Sequence, residues 1–281
     1  LVLMFATSRH EAHALRGAVS QIFGEGVPIV GGGAVGAISN TRFGYAGDQI
    51  ILAAFWLEGA SWKLLAEPGL SESEEETGRR LGAKMAGEHV TPESPVLFFY
   101  DAINRTGTDL GLLMAHPLLG GIEESLGFLP DITGAGLQGD FVSTPAKQWT
   151  GGGVAEHNAL ALLLSGDARM DSIIMHGCRP ATGYYTVTKA DRQTILEING
   201  KKALDFLKDA LGPSIPAERY PFTLILGVNQ GDKWGEFSER SYANRLCLAI
   251  DKERGGIVMF EPDMVEGTQF QIMYRSMDLD Y

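Results

Sequence analysis

Cysteine is scarce in this 281-residue chain, where Cys178 and Cys247 are the only two. Two thiols without framework spacing exclude a disulfide-stapled fold and point to a reducing compartment, the cytoplasm. No close pair of Cys or His shows ligand spacing on both arms, so a structural zinc site is excluded. Positive charge is also short: 23 Lys and Arg against 35 Asp and Glu leave a net charge of -12. A chain this acidic does not build a phosphate-tracking groove, which excludes nucleic acid as a partner, and an anionic lipid surface repels it. No apolar run is long enough to span a bilayer, so no membrane partner is expected. The opening LVLMFATS is too short for a signal-peptide core and lacks a basic lead. GxSxG, HExxH and paired-carboxylate spacings are missing too, and with them the commonest signs of an enzyme.

What the chain does contain is a core. Apolar residues make up 44% and charged residues 21%, enough for one large or two ordinary domains. The first residue is Leu1, from which the true start of the gene product is expected to be missing. Residues 1–7 read as a buried strand. Ser8 is placed to cap a helix over 10–23, which Gly24 and Gly26 end. A glycine-broken strand over 27–38 and a long strand over 47–59 follow.

The same order then returns. Ser73 caps an acidic-fronted helix, residues 95–102 read as a strand, and residues 106–127 read as helical with a break at His116–Pro117. A second glycine-rich stretch, DITGAGLQGD, and a long strand over 154–167 complete it. Strand, helix, glycine-rich strand, long strand thus occurs twice, about 95 residues apart at the first strand, which predicts a duplicated domain. After Arg179 the pattern changes. A hairpin turning at 189–192, a short helix ended by Gly212 and Pro213, and strands beginning near Phe222, Tyr242, Gly255 and Gly267 predict a mostly antiparallel second domain.

Several residues stand where a ligand could be met. Gly31, Gly32 and Gly33 permit close approach of backbone to a ligand or to another strand. GGGAVG contains a GxGxxG match from Gly31, but no ribose-binding acid follows at the usual distance. Gly134 and Gly136 mark the second glycine stretch. Asp101 and Asn104 end an apolar strand; Asp101 can take a ligand ammonium there, or form an Asx turn. His157 and Asn158 open the later long strand, at a pocket or in packing. His176, Arg179 and Gly183 follow the apolar run at 172–175; His176 is a ligand contact or a structural residue, and Arg179 holds a carboxylate with two parallel hydrogen bonds or a structural ion pair. Cys178 lies between His176 and Arg179, neighbours that lower a thiol pKa.

Four stretches in order resemble one family. VPIVGGGAVGAI and DITGAGLQGD resemble the glycine signatures of FIST N domains. HGCRPATGYYTVTKADRQTILEINGKKALDFL resembles the crossing from FIST N into FIST C, and FEPDMVEGTQFQIMYR a strand pair of FIST C. The resemblance implies a bacterial-type sensory module of α/β class with mixed sheets. A duplicated FIST N-like domain over 1–177 would pack on a smaller, mostly antiparallel FIST C-like domain over 178–281, truncated at its C-terminus. It also implies a signal-transduction sensor in the cytoplasm. Such a sensor binds a small-molecule ligand, an amino acid or similar, and signals to a partner such as a histidine kinase or a cyclic-dinucleotide enzyme. No cofactor is assured; the family's alternative is haem, with His176 as metal ligand, in a nitric oxide sensor. The ligand is expected between the glycine-rich strands and the 176–183 loop. An enzyme on a duplicated fold and a ligand-free scaffold are the readings from other classes.

Overall fold

The apolar run that opens the chain has no polar face to offer solvent, and it forms a strand covered on both sides. The computed structural model describes residues 1–45, 47–106, 109–139, 146–173 and 175–276. Contacts divide the chain into two compact units, Leu1–Asp171 and Ser172–Tyr281.

The first unit begins β1 (Val2–Ala6), α1 (Ala12–Phe23), β2 (Ile29–Gly33), the hairpin β3 (Gly36–Ile38) and β4 (Phe43–Tyr45), β5 (Ile50–Ala54) and β6 (Ala60–Pro68). It continues with α2 (Glu74–Gly87), β7 (Pro95–Asp101), the hairpin β8 (Ile103–Thr106) and β9 (Asp109–Leu112), α3 (Ala115–Leu126) and β10 (Asp131–Leu137). β11 (Gln148–Gly151), β12 (Val154–Ala155) and β13 (Asn158–Gly166) end it.

These strands form two mixed sheets, ordered β12-β11-β2-β1-β5 and β10-β7-β13-β6. β1 and β2 are parallel through α1, and β7 and β10 are parallel with α3 between them; every other pairing in the two sheets is antiparallel. Alternation along the strands sets the layers. Val2, Met4 and Ala6 face α1 with Val19 and Trp149, while Leu3 and Phe5 face Leu64, Leu97 and Leu162 of the second sheet. Val96 and Phe98 point the other way, onto Leu81, Met85, Leu118 and Ile122 of α2 and α3. The unit is therefore a helix, two stacked sheets and a helix pair, and the α/β class with mixed sheets holds.

Local departures from the sequence expectation have physical causes. The helix expected over 106–127 starts only at Ala115, because residues 103–106 pair with 109–112 as a hairpin, residues 107 and 108 lying outside the described ones; Pro117 sits in the first turn, where its missing N–H is no loss, and breaks nothing. α1 is capped by Glu11, whose carboxylate accepts from the N–H groups of His13 and Ala14, and not by Ser8. The strand expected over 47–59 is shorter, and β6 follows it unforeseen. The long strand expected over 154–167 breaks at His157, whose φ of +54° separates β12 from β13.

The second unit contains β14 (Cys178–Pro180), β15 (Tyr185–Asp191), β16 (Thr194–Ile198), β17 (Lys201–Lys202) and α4 (Ala203–Leu211). β18 (Ile225–Asn229), β19 (Tyr242–Asp251), β20 (Gly256–Met259) and β21 (Gln269–Arg275) follow. All its pairings are antiparallel, and they close: β15-β16-β20-β19-β18-β21 returns to β15, with β14 extending the β15 edge of β21. Closure removes the free edges an open sheet would expose. The buried face gathers Val187, Ile195, Leu226, Cys247, Ile257 and Phe270 with Leu204 and Leu207 of α4. Among the described residues, no helix is long and apolar enough to cross a membrane.

Candidate ligand-binding site

In a parallel strand pair joined by a helix, the chain leaves a crevice beyond the carboxyl ends of the strands, beside the helix N-terminus. The pair β1–β2 has such a crevice, of about 430 Å³. Its wall begins at Ala6 and Gly33, the last residues of the two strands, and continues through Thr7, Ser8 and the start of α1. The other wall is the segment around β11 and β12, which brings Lys147, Trp149 and Glu156. That segment is in place because β11 pairs with β2 and the Gly33 N–H donates to the Lys147 carbonyl at 2.9 Å.

The crevice has an apolar floor and converging polar groups, the usual make-up of a small-molecule site. Trp149 is buried and its indole N–H donates to the Ala12 carbonyl at 3.3 Å. Lys147 and Glu156, both on that second wall, form an ion pair. His10 lines the wall, and among the described residues its Nε2 is buried without a hydrogen-bond partner. The α1 N–H groups that would attract an anion are taken by the Glu11 carboxylate, and those bonds hold its pKa below the ordinary carboxylate range.

The glycines divide into two kinds. Gly31, with φ +133°, would put a Cβ 2.2 Å from the Met4 carbonyl oxygen, and Gly32 one 2.6 Å from Leu137 Cδ1. Both serve close packing of β2. Gly33 lines the crevice. The run lies inside a strand followed by another strand, not in a turn opening a helix, so the GxGxxG match is not a dinucleotide fingerprint. In β10, Gly134 would place a Cβ 1.6 Å from the Phe98 carbonyl oxygen, and Gly136 one 2.9 Å from the Ala102 Cβ.

Asp101, at the end of β7, is fully buried. Its Oδ1 accepts from the N–H groups of Ile103 at 3.2 Å and Ala146 at 3.1 Å, and its Oδ2 accepts from the His157 N–H at 3.4 Å. His157 Nδ1 lies 3.1 Å from the same Oδ2, within ion-pairing distance, though not aligned for a hydrogen bond. Burial pushes the Asp101 carboxyl up, against the downward pull of these N–H groups and of the imidazole. The Gln148 side-chain amide makes two bonds of 2.8 Å to the Asn158 backbone, its nitrogen donating to the carbonyl and its oxygen accepting from the N–H. Asn104 donates to the Ser71 carbonyl at 3.3 Å.

His176, Arg179 and Gly183 belong to the second unit. His176 Nδ1 accepts from the Cys178 N–H at 3.0 Å and lies 3.5 Å from Glu239 Oε1; among the described residues Nε2 is buried without a hydrogen-bond partner. An axial haem ligand must offer an unprotonated nitrogen with open space before it, and neither nitrogen does so. The residues present do not fit haem on His176. The Arg179 guanidinium lies over the Phe237 ring, 5.6 Å from its centroid. Gly183 faces open space. Pro180 and Tyr184 line a second cavity of about 340 Å³ with Lys233, Phe237, Tyr242 and Gln271, so this stretch meets the loop between β18 and β19. Burial raises the Cys178 thiol pKa and outweighs the lowering by Arg275, the reverse of the sequence expectation.

The sequence profile of the FIST N domain matches residues 1–201, well over half of the chain. The chain belongs to the FIST family. FIST domains form a signal-transduction sensor family rather than an enzyme family. The FIST N match covers the whole first unit and continues through β16 of the second. No curated protein and no solved structure matches the chain.

Thr7, His10, Glu11, Lys147, Trp149 and Glu156 escaped the sequence reading. One signal was available: a buried strand running straight into a helix puts Thr7 to Glu11 at the carboxyl end of β1. Lys147 to Glu156 carried none, because their place depends on pairing with β2, more than a hundred residues earlier.

Proposed function

We propose that this FIST domain is a cytoplasmic sensor that binds a small zwitterion, an amino acid or a close relative, in the crevice beyond β1 and β2. The observation that carries the reading is the oppositely charged pair Lys147 and Glu156 lining one crevice with Trp149, with His10 and Glu11 on the facing wall. A ligand carboxylate takes the Lys147 ammonium and a ligand ammonium takes Glu156, so binding exchanges an internal ion pair for two ligand contacts. Gly33 gives the ligand access to the strand end. The change in the β11–β12 segment is then read by a partner such as a histidine kinase or a cyclic-dinucleotide enzyme.

The test is a thermal-shift panel of the twenty amino acids. A ligand at a hundred times its Kd stabilises by ~2.7 kcal/mol. Lys147→Ala should abolish the shift while changing the ligand-free midpoint little, since both partners of the pair are substantially exposed and such pairs contribute about 0–1 kcal/mol. An unchanged shift in Lys147→Ala overturns the assignment.

A further inference from the structure

The side chains at the mouth of the crevice come from the two ends of one segment. Lys147 precedes β11, Glu156 follows β12, and the residues just outside them are Ala146 and His157. Both of those backbone N–H groups donate to the same side chain, Asp101, which stands not in the crevice's own sheet but at the end of β7 in the other one. A third N–H, from Ile103, fixes the carboxylate in an Asx turn. A second tie stands beside it: the Gln148 side chain makes two bonds to the backbone of Asn158, the residue after His157. His157 is held at a φ of +54°, a conformation that costs a β-branched or bulky residue energy and persists only where surroundings impose it.

From this we infer that Asp101 is the positioning residue of the crevice: a buried latch that fixes both ends of the 146–157 segment and so sets the spacing of Lys147 and Glu156. It acts through the backbone and touches no ligand. The reason is geometric. One carboxylate spans both ends of the segment, its Oδ1 accepting from Ala146 and its Oδ2 from His157, so a movement of the Asp101 side chain withdraws an acceptor from both N–H groups in one event. An asparagine at 101 cannot do this, because its amide nitrogen would face an N–H donor. The ligand part of the inference rests on the crevice being the binding site; the latch itself does not.

Hydrogen exchange on the whole chain tests it. In the wild type, the amides of Ala146 and His157 should show protection within about tenfold of each other, as one opening event requires. Protection differing by a hundredfold or more overturns the latch. In Asp101→Asn, peptides covering 146–147 and 156–158 should exchange at least tenfold faster, with the interior of β13 and α2 unchanged. Equal acceleration everywhere reduces Asp101 to general stability and overturns the proposal, as does no acceleration. If Asp101→Asn does not fold, the wild-type pair of amides decides. If the amino-acid panel yields a ligand, its Kd should rise at least tenfold in Asp101→Asn; if it yields none, the reading of the crevice fails while the exchange result still decides the latch.

Discussion

Glycine at position 31 and glycine at position 183 look alike in a sequence, yet a single methyl group separates them. At Gly31 the methyl would meet the Met4 carbonyl oxygen at 2.2 Å in a backbone with φ +133°, whereas at Gly183 nothing lies within 4 Å. Gly31→Ala should therefore destabilise by roughly 1–3 kcal/mol from backbone strain alone, and Gly183→Ala by less than about 0.5 kcal/mol. Urea unfolding of the two variants checks the contrast. The thiols give a second prediction at this scale. Burial pushes Cys247 up to about 11, so it should resist a thiol reagent at pH 8 in the native state and react only as the unit unfolds.

Elements are joined here by contacts that the chain order alone does not reveal. Glu67 of β6 is buried and bonds Arg80 at 2.6 Å and Lys84 at 2.7 Å, both on α2. Burial by itself would raise its pKa, but the two cations outweigh it and hold it below its ordinary 4.5. A depressed carboxyl stabilises the fold above its unfolded pKa, and that stability is lost as pH falls through the folded value. Acid unfolding of the wild type should thus steepen below about pH 4.5, and Glu67→Gln should flatten that limb. Helix against helix, α2 and α3 meet through glycines: a Cβ at Gly121 would stand 2.1 Å from the Glu75 carbonyl oxygen, and one at Gly78 2.1 Å from that of Leu118. Gly121→Val should cost about 1–3 kcal/mol or more by forcing the helices apart, read from the thermal midpoint.

How much of this was legible follows from what periodicity can carry. The hairpin and the short helix after Tyr185 were readable because each is an apolar run closed by its own turn residues, although the turn expected at 189–192 falls between Asp191 and Thr194, because β15 runs through Asp191; Gly212 ends α4 as expected. Ser73 as a cap was readable because the Glu76 N–H it accepts from is only three residues along the chain. Hairpin β8–β9 was not, since GLLMA beside it has helical composition and only pairing tells the two apart. The crevice was least legible: its two walls come from residues 6–12 and 147–156, and the register of β11 on β2 is what joins them.

At the scale of the whole molecule, a FIST domain whose first unit stacks two sheets between helices offers a crevice with paired charges at the carboxyl ends of β1 and β2. The central claim is that the small ligand enters there. Hydrogen exchange with and without the amino acid that gives the largest thermal shift tests this most directly. The account predicts slowed exchange in peptides spanning 6–12 and 147–157, with the loop between β18 and β19 unchanged. Slowing confined to residues 176–184 and 230–241, with 147–157 unaffected, would contradict it and move the ligand to the second unit.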